Sequence, residues 1–339
     1  MKFLEKHPMV MIVVGVVGIS LSAIFVKYSQ APSVVTAAYR LLWTVVLMTP
    51  VALGRREFRQ ELAGADKKTI AMCAVSGIFL ALHFTVWIES LDNTSVASST
   101  AITCTEVIWV SLGFAAFLGG RIGKAALASI AVTVSGSLLI ALSDYSAGGN
   151  HLYGDVLSLA AAVFSAVYTL IGLQVRRKMS TTAYTYVVYG FCALALCGAV
   201  ASSGVPFTGY GASSVMVGLL LAVFSTILGH SIFSWCLRFL SPSFVSASKL
   251  CEPPVAAVLA VILFQEFPAA LQVAGGLVTL GGVLMYSRVE AAEQSRRAGP
   301  QSSPGRPQSR PGGGNRRACP EAAEAVAGAA GRENGTVDI

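Results

Sequence analysis

A chain of 339 residues in which 54% are hydrophobic and 12% charged, with a mean hydropathy of +0.67, lies far from a soluble domain, where about a quarter of residues carry charge. The apolar excess points to a polytopic membrane protein rather than one large soluble core. The formal net charge of +7 does not imply a nucleic-acid partner, because the basic residues sit in short connections between apolar runs, where they act as topology signals.

The N-terminal segment carries Lys2 and Lys6 and leads into an apolar run over 9–26. That run is longer than a signal-peptide core and more spans follow it, so it reads as the first transmembrane helix. Nine further runs lie at roughly 34–53, 70–90, 95–118, 124–142, 155–174, 184–203, 215–237, 244–265 and 269–287. Each is near the ~20 residues that a spanning helix needs. Lys and Arg fall in alternate connections: Arg55, Arg56, Arg59, Lys67 and Lys68; Arg121 and Lys124; Arg176, Arg177 and Lys178; Arg238; and Arg288, Arg296 and Arg297 after the last run. The other connections hold mainly Asp92, Asp144, His151, Asp155 and Glu266. This alternation predicts an all-α fold of ten transmembrane helices in the plasma (inner) membrane, with both termini cytoplasmic. From about Ala291 the composition turns to Ser, Arg, Pro, Gly and Ala, which predicts a disordered cytoplasmic tail over 291–339.

An offset of 146 superimposes the two halves without a gap: Leu91 on Leu237, Ser95 on Ser241, Glu106 on Glu252, Thr133 on Thr279 and Gly136 on Gly282. Each half, 9–142 and 152–288, then holds five helices. An odd number makes the second copy cross the membrane in the opposite sense. Inverted repeats of this kind place their site near the midplane, where the halves meet, and expose it alternately.

These residues resemble a family. The second copy reads Cys236-Leu237, Ser241, Glu252-Pro253, Gln265-Glu266 and Gly281-Gly282; the first reads Ser90-Leu91, Ser95-Val96-Ala97, Glu106-Val107, Gly119-Gly120 and Gly136. The pattern is similar to that of the EamA-type branch of the drug/metabolite transporter superfamily. The first copy departs from it, lacking a proline after Glu106 and having Gly120 where the family often has glutamate. The resemblance implies two five-helix repeats and transport of small polar metabolites such as amino acids, outward.

Glu106 and Glu252 are the first candidates for a site. A carboxylate inside a spanning segment is costly and is usually kept for a pathway. Each has a functional reading, proton binding and release, and a structural one, a hydrogen bond to a neighbour. Lys249, three residues before Glu252, can pair with it or meet a substrate carboxylate. Arg40, about seven residues into the second helix, either snorkels to the interface or points into the cavity. His83 and Trp87 share a face of the third helix, and His230 and Trp235 sit in the matching helix eight. Each is a packed core residue or a cavity lining, and the tryptophans suit interfacial anchoring equally. Tyr168 and Tyr189 complete the set of candidate linings.

No HExxH, P-loop, nucleophile elbow or Cys/His metal spacing is present, so no metal, cofactor or enzymatic role is expected. Without an ATP-binding element, energy must come from a gradient. The expected function is a secondary transporter working by alternating access, with proton coupling through the glutamates as one reading. A facilitative carrier or channel without ion coupling is the alternative, and an intramembrane enzyme a more distant one. The expected partners are a small-molecule metabolite and the lipid bilayer, with the chain a monomer or homodimer.

Overall fold

The computed structural model describes residues 8–117, 123–147, 151–229, 232, 248 and 250–298. All regular elements among the described residues are helices. In chain order the helices are α1 (Pro8–Lys27), α2 (Ser33–Gly54), α3 (Arg56–Ala63), α4 (Lys67–Asn93), α5 (Val96–Thr103), α6 (Glu106–Phe117), α7 (Lys124–Ala147), α8 (His151–Val175), α9 (Thr181–Ser203), α10 (Gly211–Leu220), α11 (Glu252–Phe264) and α12 (Ala270–Ala298). A π-helical segment, Leu221–Gly229, continues α10.

Among the described residues, nine stretches are long and apolar enough to span a bilayer: Val10–Lys27, Ser33–Gly54, Lys67–Asn93, Val96–Phe117, Lys124–Ser146, His151–Val175, Thr181–Ser203, Gly211–Gly229 and Ala270–Val289. The tenth is represented by the shorter apolar α11. Large apolar side chains face outward on several of these helices, such as Leu138, Leu194 and Leu277, as expected where lipid rather than water is the solvent.

The helix pairs repeat under the exchange of halves. α4 packs on α8 as α1 packs on the π segment; α4 packs on α9 as α2 packs on α10; and α6 packs on α8 as α1 packs on α11. Two pairs, α2 with α9 and α7 with α12, map onto themselves. In the α7–α12 seam, Gly136 lies against Thr279 and Gly282 against Thr133. The residues matched by the offset therefore exchange partners, which is the signature of a two-fold relation between the halves. Small residues bring the two backbones together there.

The helix ends separate into two faces. On one, here called proximal, Ser180 Oγ donates to Glu61 Oε2 at 2.7 Å and its N–H to Glu61 Oε1. Lys178 Nζ also lies 3.9 Å from Asp66 there. The Thr69 hydroxyl, with a smaller effect from Lys178, holds the Asp66 carboxyl below its ordinary range. On the distal face, Lys27 Nζ lies 3.1 Å from Glu266 Oε1, and the Val96 N–H donates to Glu266 Oε2 at 3.2 Å. The connections around 60 and 177 thus share a face. Single cysteines replacing Gln60 and Arg177 are expected to react with a membrane-impermeant maleimide from the same side; labelling from opposite sides would contradict this architecture.

Three details differ from the sequence expectation. The charged connection after α2 is not open loop: it folds into α3, an amphipathic helix whose one buried side chain is Phe58, edge-on to Tyr186 at 5.4 Å between ring centroids. α12 runs on to Ala298 rather than ending near 288, because Glu290-Ala-Ala-Glu-Gln are strong helix formers. Asp144 and Asp155 are not connection residues at the surface but are buried, at 1% and 3% exposure.

Candidate functional site

Both membrane glutamates open a half-helix. In the first half, the Thr100 and Thr103 hydroxyls donate to the carbonyls of Val96 and Ser99, at 2.7 and 2.8 Å. Such back-bonding loosens a helix. The chain then tightens, with Cys104 N–H bonding Thr100 O and Thr105 N–H bonding Ile102 O, before α6 starts at Glu106. In the second half the break falls at the matched place by different chemistry. Cys251 N–H bonds Ser248 O at 3.1 Å, and Pro253 and Pro254 occupy the first turn of α11, which starts at Glu252. Proline fits there because first-turn amides lack intrahelical partners in any case.

Glu106 Oε1 accepts a hydrogen bond from Thr169 Oγ1 on α8 at 3.0 Å. The Glu252 backbone carbonyl accepts from Ser20 Oγ on α1 at 3.2 Å. Each glutamate is thereby joined to the first helix of the opposite half.

Arg40 does not snorkel. It is 3% exposed, and its guanidinium is held by hydroxyls from both halves. Nε donates to Thr226 Oγ1 at 3.0 Å, one terminal nitrogen to Ser225 Oγ at 3.0 Å and the other to Ser22 Oγ at 3.4 Å. Its central carbon lies 4.1 Å above the centre of the Phe84 ring. Glu252, at the start of α11, lies within electrostatic range of it. The two hydroxyls from the second half belong to the π segment, where Thr226 Oγ1 also bonds Leu221 O at 3.2 Å. A widened turn of this kind shifts the helix register locally, and such turns recur at functional sites. Here it turns two consecutive hydroxyls toward one guanidinium.

His83 Nδ1 lies 2.8 Å from the Ala161 carbonyl. A carbonyl only accepts, so Nδ1 carries the proton and Nε2 is left as an acceptor when the ring is neutral. The ring lies beside Phe84 at 5.0 Å between centroids, and His83 is within electrostatic range of both Glu106 and Arg40. Tyr189 is buried and within range of Arg40. Tyr168 stacks on Tyr184 at 6.3 Å and is within range of Glu106. Trp87 is buried in the central apolar cluster, where its packing leaves no interfacial anchoring role. Lys249, His230 and Trp235 lie outside the described residues. The structure therefore brings Arg40, His83, Glu106, Glu252, Tyr168 and Tyr189 into one region. It adds Ser22, Phe84, Thr169, Ser225 and Thr226, which sequence reasoning missed. No group of three or more potential metal-binding His, Cys, Asp or Glu side chains occurs among the described residues.

Comparison with known proteins follows the same lines. The chain is 26% identical over 235 residues to the pseudopaline exporter CntI of Pseudomonas aeruginosa, covering 68% of this chain and 80% of that one. It is 29% identical over 241 residues to a probable terminal-alkyne amino-acid exporter of Streptantibioticus cattleyicolor, covering 66% and 74%. An uncharacterized transporter of Bacillus subtilis is 23% identical over 283 residues, covering 81% and 86%. A crystal structure with 16% sequence identity shares the fold at a TM-score of 0.55, over 87% of this chain and 99% of that one. The model of the EamA-like transporter family matches twice, at residues 7–142 and 152–288. By that double match over both halves, the chain belongs to the EamA-like transporter family.

Proposed function

We propose that this protein is a secondary transporter that exports small polar metabolites of the amino-acid type by alternating access between its two halves. In this reading it works in the plasma (inner) membrane as a monomer or homodimer, with both termini cytoplasmic, so that the proximal face is the cytoplasmic one. The observation that carries the substrate class is Arg40. A buried guanidinium held by one hydroxyl at each nitrogen (Ser22, Ser225 and Thr226), with Glu252 in electrostatic range, still has N–H groups to offer, and arginine takes a carboxylate with two parallel hydrogen bonds. Glu106 and the neutral face of His83 supply acceptors for an ammonium group on the same solute. The exporter names of two relatives support the direction. Uptake of radiolabelled amino acids into liposomes holding the purified protein tests the class; absence of uptake for every amino acid and simple carboxylate would overturn it.

Proton coupling through Glu106 is the finer part of the proposal. Glu106→Gln is expected to lower the rate several-fold and to flatten its dependence on pH, measured in the same liposomes between about pH 5 and 8. An unchanged rate and profile would remove Glu106 from any coupling role. A facilitative carrier is the second reading, and one observation favours it: Glu106 sits in the first turn of α6 and already accepts the Thr169 hydroxyl at 3.0 Å. Both features give the carboxylate a structural role, at a helix start and in a side-chain hydrogen bond, that calls for no coupling ion. A pH jump separates the two, since only a coupled carrier accumulates solute against its gradient.

A further inference from the structure

At the distal face, away from the Arg40 region, four elements converge on two buried acids. Asp144 ends α7 in the first half, and Asp155 lies near the start of α8 in the second. Gln272, on α12, donates from Nε2 to Asp144 Oδ1 and, at 3.2 Å, to Ser98 Oγ on α5. Thr94, between α4 and α5, points its hydroxyl at both acids, 3.0 Å from Asp155 Oδ1 and 3.3 Å from Asp144 Oδ2. The two carboxyls thus share one hydroxyl as neighbours and lie within electrostatic range of each other. Asp155 Oδ2 is buried with no hydrogen-bond partner among the described residues.

The hydrogens do not suffice for two carboxylates. Thr94 has one hydroxyl hydrogen and two acid oxygens to serve. Asp144 is fully served as an ionised acceptor if it takes that hydrogen and the Gln272 amide hydrogen. Asp155 then has no donor among the described residues, although it is 3% exposed and shares its hydroxyl neighbour with a second acid. Two carboxylates crowded onto one hydroxyl and out of water do not both stay ionised. A proton on Asp155 cures both defects: the acid becomes a donor toward Asp144 or Thr94, and the like-charge repulsion disappears.

We propose that Asp144 and Asp155 share a single proton, and that this proton ties the two halves together at the distal face and leaves when that face opens. Opening parts Asp144 and Thr94, in the first half, from Asp155 and Gln272, in the second. Once water reaches it, the Asp155 O–H bond breaks, the proton passes to solvent and both acids remain as hydrated carboxylates. Acid therefore favours the closed distal face and alkali the open one. The other titratable groups nearby are accounted for. Lys27 and Glu266 pair with each other. Glu89 accepts the Ser33 hydroxyl at 2.6 Å, with Asp92 beside it. His151, one turn before Asp155 on α8, has a buried Nδ1 without a partner among the described residues.

The inference rests on the alternating-access reading, and its test keeps the two apart. In the full chain freed of native cysteines and placed in liposomes, Ser158→Cys reports opening, because Ser158 is buried one turn below Asp155. Its N-ethylmaleimide rate is divided by that of Tyr153→Cys, an exposed site on the same helix, which corrects for thiolate fraction. The corrected rate is expected to rise by up to about tenfold per pH unit, as one linked proton requires, and to become slow and flat in Asp155→Asn. Asp144→Asn is expected to behave likewise, and the infrared band of a protonated carboxyl to vanish in either variant. If labelling responds to a mixture of amino acids but keeps the wild-type pH profile in both variants, the shared proton is wrong and the rocking stands. If labelling responds neither to amino acids nor to pH, both fall.

Discussion

Arg40→Lys is expected to retain the fold and lose at least nine-tenths of amino-acid transport, whereas Arg40→Met is expected to lose all of it. The guanidinium uses three directions at once, toward Thr226, Ser225 and Ser22, while lying 4.1 Å above the Phe84 ring. An ammonium is a compact charge on a flexible stem. It can reach one or two of these hydroxyls but cannot lie flat on the ring or present a planar fork to a carboxylate. Hydrogen bonds to charged groups contribute about 1.5–3 kcal/mol each. Losing one of the two made to a substrate carboxylate therefore weakens binding by about ten- to a hundredfold. Initial rates against solute concentration in liposomes measure this, and the defect is expected to appear mainly as a raised half-saturation concentration. Thr226→Val separates holding from binding: it removes one hydroxyl that orients Arg40 and leaves the charge, so a smaller loss is expected. Normal transport by Arg40→Lys would show that the arginine is a structural cation and would withdraw the carboxylate site.

Much of this geometry is legible in the amino-acid sequence. Spanning segments announce themselves because each must satisfy its backbone within itself and present apolar atoms to lipid over ~20 residues. The repeat was legible because Glu106 and Glu252, Thr133 and Thr279, and Gly136 and Gly282 keep one offset. The contacts of Arg40 were not. Ser22, Ser225 and Thr226 are three hydroxyls among many in membrane helices, and only the π segment Leu221–Gly229 turns two of them to one point. A π turn has no signature in apolar periodicity. Asp144 and Asp155 were misplaced for a related reason. Charge near a helix end reads as connection, and what buries these two is packing by α5 and α12, distant in sequence. α3 was hidden by its polarity, since Phe58 is its one buried residue. The repeat is also less symmetric in chemistry than in shape. The offset carries Arg40 onto Tyr186 and His83 onto Gly229, so the arginine and histidine of the site belong to the first half, while Glu252 reaches it from the second. That asymmetry suits a solute with two different ends.

Gly136→Leu and Gly282→Leu are each expected to lower the thermal midpoint of the detergent-solubilised protein by several degrees, and Gly281→Leu to leave it nearly unchanged. A β-carbon at Gly136 would lie 2.8 Å from the Gly275 carbonyl oxygen, and one at Gly282 2.9 Å from the Thr133 α-carbon. Both obstacles are backbone, which cannot swing aside like a side-chain tip, so α7 and α12 must separate. Overpacking a tight contact costs about 1–3 kcal/mol, and here the close approach of two helices is itself the source of attraction, because lipid offers no hydrophobic drive. Gly281 has no neighbour within 4 Å of such a carbon, so its substitution loses little beyond local propensity. The double variant carries the sharper information. Since the two-fold relation makes Gly136–Thr279 and Gly282–Thr133 equivalent contacts in one seam, the separation forced by either leucine already makes room for the other. The double variant is therefore expected to fall by less than the sum of the singles. Strict additivity would mean that the two contacts yield independently, which a rigid, pseudo-symmetric helix pair does not allow.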